Sequence, residues 1–73
     1  MTIDDYRVSL GWSKTKLCDE AKIDMSTLQR AINREPVYRV TAGKIAEAIS
    51  RARVSRGESP IRYTDLEGVV FSD

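Results

Sequence analysis

The chain has 73 residues, 41% of them hydrophobic and 32% charged, with a formal net charge of +1, which points to one small domain around a single core with a modest stability margin. One cysteine and no histidine exclude an internal disulfide, a Cys/His zinc site and a Cys-His nucleophile pair within one chain. No apolar run approaches the ~20 residues that span a bilayer, and the first residues lack the charged start and apolar core of a signal segment, so the expectation is a soluble, cytoplasmic protein with no membrane partner.

Thr2 or Asp4 can start a first helix, roughly Ile3 to Leu10, whose apolar positions Ile3, Tyr6 and Leu10 fall three and four apart. Gly11 offers the left-handed geometry that ends it. Ser13 is an N-cap for a second helix reaching about Lys22, with Trp12 placed to staple against Leu17. Asp24 caps a third helix, roughly Met25 to Asn33, because its carboxylate can accept the free amide hydrogens of the first turn. Asn33 tolerates the left-handed position at the end of that helix, and Pro36 prevents it from running on.

Residues 36 to 40 read as a connecting loop, after which Thr41 is expected to cap a fourth helix. Ala42, Ile45, Ala46 and Ile49 give that helix the i, i+3, i+4, i+7 spacing of an amphipathic face, and it should end between Arg51 and Val54, before the turn-rich 55–60. Glu67 lies three residues after Thr64, the pattern of a capping box, while Gly68 stops propagation. A short helical turn and then the apolar strip Val69-Val70-Phe71 are therefore predicted. There is no internal repeat, heptad or low-complexity segment. Trp12, Leu17, Ile23, Leu28, Ile32, Ile45 and Ile49 are the expected core, with Tyr6 and Tyr63 at its edges.

Charge is unevenly distributed. Residues 29–56 hold seven basic side chains (Arg30, Arg34, Arg39, Lys44, Arg51, Arg53 and Arg56) against Glu35 and Glu47, a net +5, whereas residues 57–73 carry −3. Positive potential should gather around the third helix and the segment C-terminal to it. With Ser26, Thr27, Gln29, Arg30 and Asn33 on its outer side, residues 13–33 have the shape of a helix-turn-helix DNA reader. Nothing resembles catalytic machinery: there is no histidine, metal-ligand cluster, phosphate-cradling glycine loop or paired carboxylate set. The chain is expected to be no enzyme and to take no cofactor, metal or small-molecule ligand.

From Tyr6 to Ile49 the chain resembles the Cro and lambda-repressor type of helix-turn-helix domain, the xenobiotic-response-element family of bacterial and phage regulators. The resemblance is carried by Gly11-Trp12-Ser13, Leu17 and Cys18, Ile23, Ser26-Thr27-Leu28, Arg30 and Asn33. The segment from Pro60 through Asp65-Leu66-Glu67-Gly68-Val69 is similar to the closing segment of short members, which packs back onto the bundle. Two positions depart from the family pattern. Lys22 stands where glycine is usual, so it either accepts a left-handed conformation or shifts the turn, and Cys18 replaces the usual alanine.

The resemblance implies an all-α fold, a compact four- to five-helix lambda-repressor-like bundle spanning 1–73 as one domain, with its motif at about 13–33 and its closing segment at about 60–73. It further implies a sequence-specific regulator of double-stranded DNA, a repressor of prokaryotic or phage type, acting as a homodimer at least on DNA. Met25, Ser26, Gln29 and Arg30 would read bases, while Lys14, Thr27, Asn33, Arg34, Tyr38, Arg39 and Lys44 would hold phosphates. For Arg30 the competing role is an ion pair with Asp24 or Glu35. For Arg51, Arg53 and Arg56 it is the negative pole of the fourth helix. Val69, Val70 and Phe71 could seal the core or form a self-associating patch, and an antitoxin or adaptor that binds protein through that strip is the alternative on the same fold.

Overall fold

The computed structural model describes residues 1–72; Asp73, the last residue of the expected closing segment, lies outside them. Three of the four helix starts obey the local capping chemistry. In α1 (Ile3–Ser9) Thr2 Oγ1 accepts the Asp5 amide at 3.1 Å, and the Asp5 carboxylate accepts the Thr2 amide at 2.9 Å. In α2 (Lys14–Ala21) Ser13 Oγ accepts the Lys16 amide at 3.0 Å. In α3 (Met25–Ile32) Asp24 Oδ1 accepts the Thr27 amide at 2.8 Å. Each of these side chains occupies amide donors that a helix start otherwise leaves without a partner.

The helix ends need left-handed backbone, and the chain finds it in different ways. Gly11 supplies it after α1 with φ 72°. Lys22, at φ 59° and ψ 46°, adopts it after α2 despite its side chain, and the Ile23 amide bonds back to the Cys18 carbonyl at 3.1 Å. Lys22 therefore accepts the strained position. After α3 the expectation for Asn33 is corrected: its φ is −81°, and Arg34, at φ 62°, turns the chain instead. The Glu35 amide then reaches the Arg30 carbonyl at 2.9 Å, a six-to-one closure that moves the left-handed residue one place beyond Asn33.

The expected loop and cap at the fourth helix are also corrected. Pro36–Val37 is a short strand, β1, and α4 runs Arg39–Ser55 behind Tyr38, which makes no side-chain capping bond. The cause is tertiary. Val70–Phe71 forms β2, which pairs in parallel with β1 in the register Pro36↔Val70 and Val37↔Phe71. The Ser72 amide extends the ladder by donating to the Val37 carbonyl at 3.0 Å. With residues 36 and 37 held extended, the chain turns into α4 at once, two residues before Thr41. The helical domain thus carries a small parallel strand pair that an all-α expectation omits, and its fifth helical piece is only the 3-10 turn Tyr63–Asp65. There the Thr64/Glu67 capping pattern is not used: Asp65 Oδ2 accepts the Arg62 amide at 2.9 Å, and Glu67 pairs with the Met1 ammonium at 3.0 Å.

Leu17, Leu28, Ile45 and Ile49 are fully buried, so one expected core residue from each of α2 and α3 meets two from α4. Trp12, Ile23 and Ile32 pack at the margin, half-buried, whereas Tyr6 is more enclosed than an edge position, at 7% exposure. The closing segment docks through Ser50, whose Oγ donates to the Ile61 carbonyl at 2.8 Å and accepts the Ile61 amide at 2.9 Å. Leu66 then enters the core.

Arginines of α4 and its end fasten the other helices. Arg51 donates to the Glu20 carbonyl in the last turn of α2 at 2.8 Å, and Arg56 donates to the Ser9 carbonyl at the end of α1 at 3.0 Å. Arg53 donates to the Ser59 carbonyl at 2.8 Å and lies 5.4 Å over the Tyr6 ring. Their helix-pole role is therefore played largely at other helices. Among the described residues no helix is long and apolar enough to cross a membrane.

Candidate nucleic-acid interface

Helix α3 has two distinct sides. Leu28 and Ala31 are buried and Ile32 half-buried against the bundle, while Met25, Ser26, Arg30 and Asn33 are exposed and Gln29 and Thr27 half-exposed. The division follows from sequence, since apolar side chains three and four apart pull one side into the core and leave the intervening polar positions outside. No segment of the described chain covers the outer side: Met25, at its solvent end, is 38% exposed.

At the start of α3 the Asp24 carboxylate accepts the Thr27 amide, and it also accepts the Ser26 hydroxyl at 3.2 Å. Thr27, through side chain and amide, together with Ser26, outweighs desolvation and holds the Asp24 carboxyl below the ordinary aspartate value. The Ser26 hydroxyl proton is thereby directed to Asp24, which leaves its lone pairs as the hydrogen-bonding capacity it offers to other partners. Cys18 lies in the core beneath; burial, reinforced by Asp19 and Asp24, pushes its thiol up, as suits a packing residue rather than a nucleophile.

Where α3, β1 and α4 meet there is an open recess of about 270 Å³, bordered by Thr27, Arg30, Val37, Tyr38, Thr41 and Ser72. Arg30 Nη2 donates to the Pro36 carbonyl at 3.4 Å, a long bond, and it pairs with neither Asp24 nor Glu35 among the described residues. The Tyr38 side chain is 68% exposed beside it. Arg39, the first residue of α4, has its guanidinium carbon 4.6 Å from the centre of the Phe71 ring.

The structure therefore gathers Thr27, Arg30 and Tyr38, with Arg39 two positions before Thr41 on the same helix start. It sets the other expected contacts apart. Arg34 lies against Gly68, in a smaller hollow shared with Thr2, Asp4 and Glu67. Lys44 borders a different depression with Glu20, Lys22, Glu47 and Arg51. Lys14 is half-buried in the first turn of α2, and Asn33 is exposed past the end of α3. Three residues at or beside the recess escape a reading of the sequence. Thr41 has only the pattern of a cap, and Ser72 and Phe71 reach this side by strand pairing over a long chain separation, which leaves no local pattern. Among the described residues no group of three or more His, Cys, Asp or Glu side chains could hold a metal ion.

Comparison of the chain with protein-family models, with curated proteins and with solved structures finds no match.

Proposed function

We propose that this domain is a cytoplasmic, sequence-specific double-stranded-DNA-binding transcriptional regulator, and that α2, the turn at Lys22 and α3 form a helix-turn-helix whose α3 enters the major groove. The observation that carries this reading is the uncovered polar side of α3, with Met25, Ser26 and Arg30 exposed on a helix whose opposite side is locked into the core. A helix held so firmly at its back can bring side chains to base edges without bending. Arg30 would grip guanine O6 and N7, with Gln29 available to adenine, while Lys14, Tyr38 and Arg39 would anchor phosphates. Repression follows where the site overlaps a promoter, and a two-fold operator would be filled by two copies.

For the antitoxin or adaptor reading the strip offers one outward apolar side chain, Val70, at 42% exposure. Val69 packs on the core, and Val70 and Phe71 are paired with β1. Selection of bound fragments from a random duplex pool, followed by salt titration of the winner, tests the DNA reading directly. Affinity should fall steeply with salt, and Arg30→Ala should lose about 1–3 kcal/mol of discrimination at one base position. Lys14→Ala should weaken all duplexes alike. Binding indifferent to salt, or an unchanged base preference in Arg30→Ala, would overturn it.

A further inference from the structure

An open groove of about 620 Å³ runs between α4 and residues 60–64 of the closing segment, and it shares no bordering residue with the recess beside α3. Ala46, Ile61 and Tyr63 make its lining largely apolar, and the paired bonds between Ser50 and Ile61 hold its two sides together. A Cβ at Gly43 would meet nothing within 4 Å, so the groove is open there. Its α4 side rises into a stripe on which Val40, Glu47 and Val54 follow one another at intervals of seven residues, two helical turns. All three are exposed, the valines at 72% and 54%, and neither valine belongs to the core. Charge selects what fits. Glu47 is the acid on the α4 side, where it already accepts Arg51 at 2.9 Å and keeps lone pairs to spare. Arg62 is the base on the closing-segment side, and its guanidinium joins no hydrogen bond or ion pair among the described residues. A ridge that carries the acid, beside a groove whose far side carries the base, is what a two-fold axis requires, because each copy must present both halves of every contact.

We propose that two copies of the chain meet through this groove and stripe, with their α4 helices antiparallel and Glu47 of each copy reaching Arg62 of the other. The inference rests on the reading above for the need of two copies on a two-fold operator, and on the groove and stripe for where they join. Antiparallel packing centred near residue 47 sets Val40 of one copy opposite Val54 of the other, since each valine lies seven residues from Glu47. Both valines then leave water, and the two ion pairs fix the register.

The test uses the full chain without DNA, so its outcome is separate from that of the DNA reading. Sedimentation equilibrium should show reversible dimers of the unmodified protein at concentrations below about 1 mM. Glu47→Arg and Arg62→Glu should each weaken association on the order of tenfold, since each reversal turns two attractions into two repulsions. An equimolar mixture of the two variants should restore it, because one partner then carries acids at both positions and the other bases at both. Gly43→Gln raises helix propensity and adds a Cβ that its own chain accommodates, so it should keep the parental Tm while obstructing the groove and weakening association by a similar factor. A merely structural role would lower the Tm of the charge reversals and give no recovery on mixing. A protein that stays monomeric up to about 1 mM, a mixture as weak as its components, or parental association in Gly43→Gln would overturn this inference and leave the DNA reading standing. Dimers that behave as described but bind no duplex would overturn the DNA reading and leave the surface between copies in place.

Discussion

Lys22→Gly offers a measurement that needs no ligand. Lys22 holds φ 59° and ψ 46°, a conformation that costs a residue with a Cβ ~1–2 kcal/mol and glycine almost nothing. Glycine also loosens the unfolded chain, at ~0.4–1 kcal/mol. The midpoints leave a net stabilisation of about 0.8 kcal/mol, because the lysine side chain is exposed and joins no hydrogen bond or ion pair among the described residues. In a domain of this size that corresponds to a rise in Tm of roughly 3–6 °C. Urea unfolding followed by circular dichroism should show a higher midpoint with an unchanged m-value. Lys22→Ala is the decisive control, since it removes the same charge but keeps the Cβ. If alanine stabilised as much as glycine, relief of repulsion around Lys44 would be the cause and the backbone argument would fail, as it would if glycine destabilised.

Acid should weaken the fold at two helix starts and at the Lys16–Glu20 ion pair along α2. Thr2, by its amide first, holds Asp5 below the ordinary aspartate value; Thr27, by its side chain first and then its amide, holds Asp24 below it, and the Lys16 ion pair lowers Glu20. A carboxyl depressed in the folded state contributes stability that is present above its unfolded value and is lost as pH falls through the folded one, here from about pH 5 downward. Asp24→Asn keeps a capping oxygen but cannot titrate, so its urea midpoint should fall less over that window; an identical fall would exclude Asp24 as a contributor. Ser26, with its proton directed to Asp24, should accept from the amino group of adenine or cytosine. Ser26→Ala should then relax one base position by about 1 kcal/mol, roughly fivefold, and a parental preference for guanine or thymine there, whose major-groove edges only accept, would contradict the assignment.

Legibility in the sequence tracks how local the cause is. Thr2, Ser13 and Asp24 act on amides within three residues of themselves, and all three helix starts are readable. The spacing of Leu28, Ala31 and Ile32 likewise announces which side of α3 is buried. Thr41 misleads because residues 36 and 37 are held by a strand from the far end of the chain, and no window around position 40 contains that information. The same non-local pairing brings Ser72 to the recess and Phe71 to Arg39. Arg34 misleads in part for a related reason: its packing beside Gly68 depends on where the closing segment lies, whereas its left-handed backbone belongs to the local closure of Glu35 onto Arg30.

The arginines that fasten α1, α2 and the loop after α4 bear on how strongly dissolved ions would compete with duplex DNA if the proposed function holds. If all seven basic side chains of residues 29–56 met phosphates, log K would vary with log salt at a slope of about −6; with Arg51, Arg53 and Arg56 turned to the carbonyls of Glu20, Ser59 and Ser9, and Arg34 and Lys44 set apart from the recess, Arg30 and Arg39 remain and give about −2. Electrolyte sensitivity inferred from composition alone would thus be more than threefold too steep. Lysine at 51 or 56 would conserve formal charge yet forfeit the planar fork that completes a neighbouring helix, so a charge-neutral exchange there should register as a folding defect rather than as altered affinity.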